Sequence, residues 1–183
     1  MRFIYLRECL GLNAVDRKYY ATTDTLAVFT PLHNEPPAAA FATLDTRNAH
    51  PVLDFDGATD EEAVFTGVMP DNYAAGGITV KLHVAFTTAT TGTANIEVSW
   101  ERITGLDIDA DSFATMTDGS ATPNGTSGIE TVVSIAFANG AAIDSVVAAD
   151  LFRLKVRRDA DGTNGTDDIT TDMELLGIEV TET

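Results

Sequence analysis

The chain has one cysteine, Cys9, in 183 residues. No intramolecular disulfide can close, and a four-cysteine zinc centre is excluded. No local motif around Cys9 marks a reactive thiolate, so it reads as a small apolar residue. Basic residues are scarce too: 11 lysines and arginines stand against 28 acids, a formal net charge of −17. Lys18, Lys81 and Lys155 are the only lysines. Nucleic-acid phosphate and anionic lipid both need clustered cations, so neither is an expected partner. No apolar run approaches the ~18–20 residues that would span a bilayer. Arg2, Arg7 and Glu8 break up the apolar start, so neither a secretory leader nor a membrane anchor is expected. Internal repeats and amphipathic helices of three turns or more are also missing.

What the chain does have is alternation. From residue 38 onward apolar side chains recur at every second position, the pattern of half-buried strands. In Ile78–Phe86, residues Ile78, Val80, Leu82, Val84 and Phe86 point one way while Thr79, Lys81 and His83 point the other. Ile96, Val98 and Trp100 form a second inward set, and Ile129, Thr131, Val133, Ile135 and Phe137 a third. Phe152, Leu154 and Val156 alternate with Arg153, Lys155 and Arg157. Around Met173–Val180 the phase slips near Leu175, Leu176 and Gly177, which predicts a β-bulge. Weaker strands are expected at Ala39–Leu44, Val52–Phe55, Ala63–Val68 and Arg2–Arg7. Short helical turns are expected at Asp109–Thr115 and Ile143–Ala148.

Pairs such as Asp56-Gly57, Asp118-Gly119, Asn124-Gly125, Asn139-Gly140, Asp161-Gly162 and Asn164-Gly165 carry turn chemistry. About eight strands, each with one buried face, must pair as two sheets. The fold class is therefore all-β: an antiparallel two-sheet sandwich of jelly-roll or Greek-key type over residues 38–183. The long interval between Ile103 and Ile129 suits a crossing between sheets. Residues 1–37 lack alternation and end in Pro36-Pro37, which reads as an extended N-terminal arm or edge segment.

Sites of chemistry are hard to find. His33, His50 and His83 have no zinc-ligand spacing and read as surface residues. No nucleophile elbow, phosphate loop or dinucleotide fingerprint occurs, and Gly76-Gly77 precedes a strand, where no helix terminus can bind an anion. Paired acids (Asp54 and Asp56, Glu61 and Glu62, Asp107 to Asp111, Asp167 and Asp168) are too common among 28 for proximity to signify catalysis. None lies in visibly apolar surroundings that would raise a pKa. Calcium is the cation the acidic loops would suit best. Asp107, Asp109, Asp111 and Asp118 fall at the first, third, fifth and twelfth positions of a loop, but Ser112 replaces the needed glycine. Asp159, Asp161, Asn164, Asp167 and Asp168 form a second cluster. Solvated acidic loops account for both, so no catalytic, cofactor or metal residue is assigned and no enzyme is expected. Trp100 is inward; only Tyr19, Tyr20 and Tyr73 could offer an exposed aromatic platform for sugar.

Pro70, Tyr73, Gly76 and Gly77 before a strand, the IEVSWERI segment and the late Arg158-Asp159 pair carry a resemblance. Over residues 35–183 the chain resembles β-sandwich virion proteins of tailed phages and prophages. The resemblance implies a non-enzymatic capsid-decoration or head-fibre subunit on the exterior of the virion. It implies a homo-oligomer, commonly a trimer, docked on the major capsid protein or other virion subunits. A tail-fibre or receptor-binding tip is the alternative, and so is a cellular carbohydrate-binding or adhesion module.

Overall fold

In β5 (Ile78–Phe86) the inward apolar set is shut off from solvent while Thr79, Lys81 and His83 are half-buried on the opposite face. The same alternation builds β9 (Leu151–Arg158) and β8 (Thr131–Phe137). The computed structural model describes residues 24–183. It is an antiparallel β-sandwich of jelly-roll type, with ten strands in two sheets.

The larger sheet runs β2 (Thr43–Arg47), β3 (His50–Phe55), β10 (Met173–Glu182), β5 and β8, with β1 (Thr25–Phe29) also paired to β10. The smaller runs β4 (Glu61–Val68), β9, β6 (Ala94–Arg102) and β7 (Thr117–Ala121). Between them lies one apolar layer that includes Leu53, Phe55, Phe65, Leu82, Trp100, Leu154 and Ile178. Trp100 packs at 5.0 Å from Phe152 and at 6.2 Å from Phe137, centroid to centroid. The slip read near Gly177 is a bulge: the β10–β5 register shifts between Leu175 and Gly177.

Four expectations need correction. Of the arm and the edge segment expected up to residue 37, the described part takes the edge form, so the first correction is to the boundary at residue 37 alone. Thr25–Phe29 pairs with β10, and Leu26 and Phe29 are buried, so residues 24–37 belong to the sandwich. The strand expected at Arg2–Arg7, Cys9, Tyr19 and Tyr20 lie outside the described residues. The second correction is β7, which runs through Asp118-Gly119, read above as a turn. Gly119 is there for space: a Cβ would stand 2.7 Å from the Cδ1 of Ile135 in the opposite sheet. Third, the strand expected at 39–44 starts at Thr43. Ala40 has a φ of 52°, which no strand residue adopts. Fourth, no helix forms at 109–115, and the turn expected at 143–148 is a single 3-10 turn at Ala141–Ile143.

The residues that carried the resemblance are structural fasteners. The Tyr73 amide donates to Pro70 O and its hydroxyl to Gly76 O. The amides of Ala74 and Gly76 donate to the Glu182 carboxylate at the end of β10. Tyr73 is 5% exposed, so it offers no platform for sugar.

Candidate functional site

The two outer faces of the sandwich differ. On the smaller sheet, β9 projects Arg153, Lys155 and Arg157 between the acids of β6 and β4. Arg153 pairs with Glu101, Arg157 with Glu97 and, at 3.7 Å, with Asp60, and Lys155 with Glu62 at 3.2 Å. Phe113 caps this row, its ring centroid 5.0 Å from the Arg153 guanidinium and 4.7 Å from Lys155 Nζ. Burial pushes Glu97 above the usual carboxylate range although Arg157 opposes it. Each cation here already has an acid, so this face is closed by its own charges.

The larger sheet bears an open groove of about 630 Å³ beside the β2–β3 hairpin. Its apolar lining comes from Pro31, Pro51, Val52, Ala85 and Leu176. Donors and acceptors rise around it: Arg47, Asn48, His50, Ser127 and Glu174. The hairpin turns through Asn48 and Ala49, with φ of 47° and 65°. Two consecutive positive φ values match a turn whose twist suits the flanking strands. That turn is what puts Arg47 and His50 opposite one another on the groove side.

Arg47 is held firmly. Its Nη1 donates to Phe86 O at 3.1 Å and pairs with Glu174, and its Nη2 donates to Thr87 O at 3.3 Å. Gly128, on the facing loop, packs against it: a Cβ there would stand 2.7 Å from Nη2. Gly128 also has a φ of 75°, where side chains are disfavoured. Behind Arg47, Glu174 stands directly across the β10–β3 ladder from Asp54. Burial first, then the charges of Glu174, Asp45 and Asp172, raise the Asp54 pKa to about 6, with Arg47 opposing. This corrects the sequence expectation that no acid of a pair is raised. Two of the acids that act on Asp54, Asp172 and Glu174, are remote from it in sequence.

The other residues singled out from sequence scatter. Asp107, Asp109 and Asp111 lie on one turn, where Asp107 accepts the Asp109 amide at 3.1 Å, while Asp118 is an exposed residue of β7. They form no metal cluster among the described residues. From the late loop, Asp159 and Asp161 do come together, with Asp60, but Asp159 is engaged elsewhere. It accepts hydrogen bonds from Asn95 Nδ2, the Asn164 and Gly165 amides and the Thr163 hydroxyl. Burial acts against its charge, yet these bonds outweigh burial and hold Asp159 below the usual range. Asp167 pairs with Arg158, and Asp168 accepts the Thr93 amide. His33 and His50 are exposed, and His83 contacts Glu130.

Sequence reading missed the groove residues Arg47, Asn48, Ser127, Gly128 and Glu174. The available signal was Asn48, a residue tolerant of positive φ, between two short alternating runs.

No family model and no curated protein matches the chain. Among solved structures it is similar to the isomalto-dextranase of Arthrobacter globiformis T6 complexed with panose. Identity is 16% and the TM-score 0.51, over 85% of this chain and 23% of that one. The chain thus spans about a quarter of that enzyme, and the likeness is one of fold. It also aligns with the CBM22-2 xylan-binding domain of Paenibacillus barcinonensis Xyn10C, at 12% identity and a TM-score of 0.49 over 82% of this chain and 92% of that one. A third is the CBM35 of Cellvibrio japonicus Abf62, at 11% identity and 0.47 over 87% and 92%.

Proposed function

We propose that the chain is a non-catalytic β-sandwich module that binds a carbohydrate in the groove beside the β2–β3 hairpin. The observation that carries this reading is the groove itself. It joins apolar Val52, Ala85 and Leu176 to the donors and acceptors of Arg47, Asn48, His50, Ser127 and Glu174. A sugar ring has an apolar face and a rim of hydroxyls that both donate and accept, which such a lining complements. The ligand is read as neutral, because a molecule of net charge −17 repels polyanions. The enzyme of which about a quarter shares the fold is complexed with panose, which makes panose the first ligand to try.

Calorimetric titration with panose, dextran and xylan, alongside chromatography of the sugars after incubation, tests the reading. Saturable binding weakened by Arg47→Ala and His50→Ala, with the sugars left intact, is the expected result. No binding to any of these by a folded chain, or their hydrolysis, would overturn it.

The capsid-decoration or head-fibre role is the second reading. One observation favours an attachment surface: Val68 and Leu151, paired across β4 and β9, are 60% and 38% exposed, and the loop after β6 adds exposed Leu106 and Ile108. Polar substitution of Val68 and Leu151 would then abolish binding to particles while leaving sugar binding intact; unchanged particle binding would count against this role.

A further inference from the structure

The hairpin that carries Arg47, Asn48, His50, Pro51 and Val52 of the groove is thinly attached to its sheet. β3 meets β10 over three register pairs: Phe55 with Met173, Asp54 with Glu174, and Leu53 with Leu175. β5 meets the same strand over nine. Phe55, Met173, Leu53 and Leu175 all belong to the core. The middle pair alone faces outward, and it consists of two carboxylates.

Like charges directly opposed on antiparallel strands destabilise the ladder they belong to. Here only Glu174 gains the ion pair with Arg47, which also reaches the Phe86 and Thr87 carbonyls at the end of β5. The Oδ1 of Asp54 is closed to solvent and has no hydrogen-bond partner. The other acids that face Asp54, namely Asp45 on β2 and Asp172 just before β10, add negative charge; among the described residues Arg47 is the cation that opposes them. A buried, unpartnered oxygen among three acids suits a protonated carboxyl far better than an ionised one.

We propose that Asp54 is a proton-operated clasp, holding the β2–β3 hairpin on β10 when protonated and loosening that wall of the groove when ionised. The direction in pH follows from the shift. The Asp54 pKa stands at about 6 in the fold against an ordinary aspartate value of 3.8. The clasp is therefore fully closed below the ordinary carboxylate value and opens as pH rises through about 6. Control of ligand binding by this clasp rests on the glycan-binding reading. The clasp itself does not, because it can be measured on the unliganded chain.

Amide hydrogen exchange, expressed as protection over the intrinsic rate at each pH, tests it. Between about pH 4.5 and about pH 7, protection of the β2 and β3 amides should fall about tenfold, with β5 and β8 unchanged. Asp54→Asn, which keeps the shape and removes the charge, should hold that protection level across the range. His50→Gln should leave the fall intact, separating Asp54 from the groove histidine. Equal protection of the wild-type hairpin at both pH values would overturn the proposal without calling on any variant. So would a fall that persists in Asp54→Asn, or one that disappears in His50→Gln. Failure to bind sugar would leave all these outcomes readable.

Discussion

Arg158 and Asp167 form an ion pair sealed inside the sandwich, their side chains 0% and 1% exposed. Nε lies 2.9 Å from Oδ2, and Nη2 lies 2.9 Å from Oδ1. The remaining guanidinium hydrogens go to the carbonyls of Phe55, Ile169 and Thr171. Arg158 thereby ties the end of β9 to β3 and to the loop before β10. Forked geometry with carbonyl partners is what makes so buried a charge tolerable.

Removing one half of this pair strands the other in a dry site. Asp167→Ala should lower stability by about 3–5 kcal/mol. In urea denaturation this reads as an earlier midpoint with an unchanged slope. A loss no larger than that of an exposed pair would show that water reaches the guanidinium.

Trp100 is the sole tryptophan and is 0% exposed. Its fluorescence should peak at short wavelength in the folded chain and shift red on unfolding, so it reports directly on the core. Trp100→Ala removes the ring between Phe137 and Phe152 and should cost about 3–5 kcal/mol, measured by thermal unfolding followed by circular dichroism.

The groove makes a separate demand at Gly128. A methyl group at this position meets the Arg47 guanidinium and is strained at positive φ. Gly128→Ala should weaken sugar binding about tenfold by displacing Arg47, and its backbone strain should lower stability by about 1–3 kcal/mol. The fold should persist, since the loop lies at the sheet edge. Titration calorimetry beside a dichroism spectrum separates the two effects.

Asp54 gives a prediction with a definite sign for global stability. Its raised pKa means the folded state binds the extra proton, so its contribution declines between pH 3.8 and about 6. Asp54→Asn should therefore stabilise the chain at neutral pH and have little effect at about pH 4. Because the residue is half-exposed, the neutral-pH gain is about 1 kcal/mol, or about 2–4 °C in melting temperature. Scanning calorimetry at both pH values checks it; destabilisation at neutral pH would contradict the sign.

The strands with strict alternation, β5, β8 and β9, were legible because every second side chain had to be apolar for one face to be buried. The slip at Leu175–Gly177 was legible for the same reason, as a break in that period. β7 was hidden because its inward positions are Thr117, Gly119 and Ala121, of which only the small Ala121 is apolar. β1 has Leu26 and Phe29 three residues apart, out of phase with a period of two, because its register on β10 shifts between Thr25 and Ala27.

The sequence by itself determined that this is an acidic all-β sandwich, since alternation and net charge are properties of residue order and composition. Only the tertiary structure decided which polar residues meet. The groove draws on residues from Thr30 to Leu176, and Asp54 faces Glu174 from 120 positions earlier in the chain. Such meetings depend on strand order and register, and no local pattern encodes either, because pairing energy is collected only after distant strands have come together.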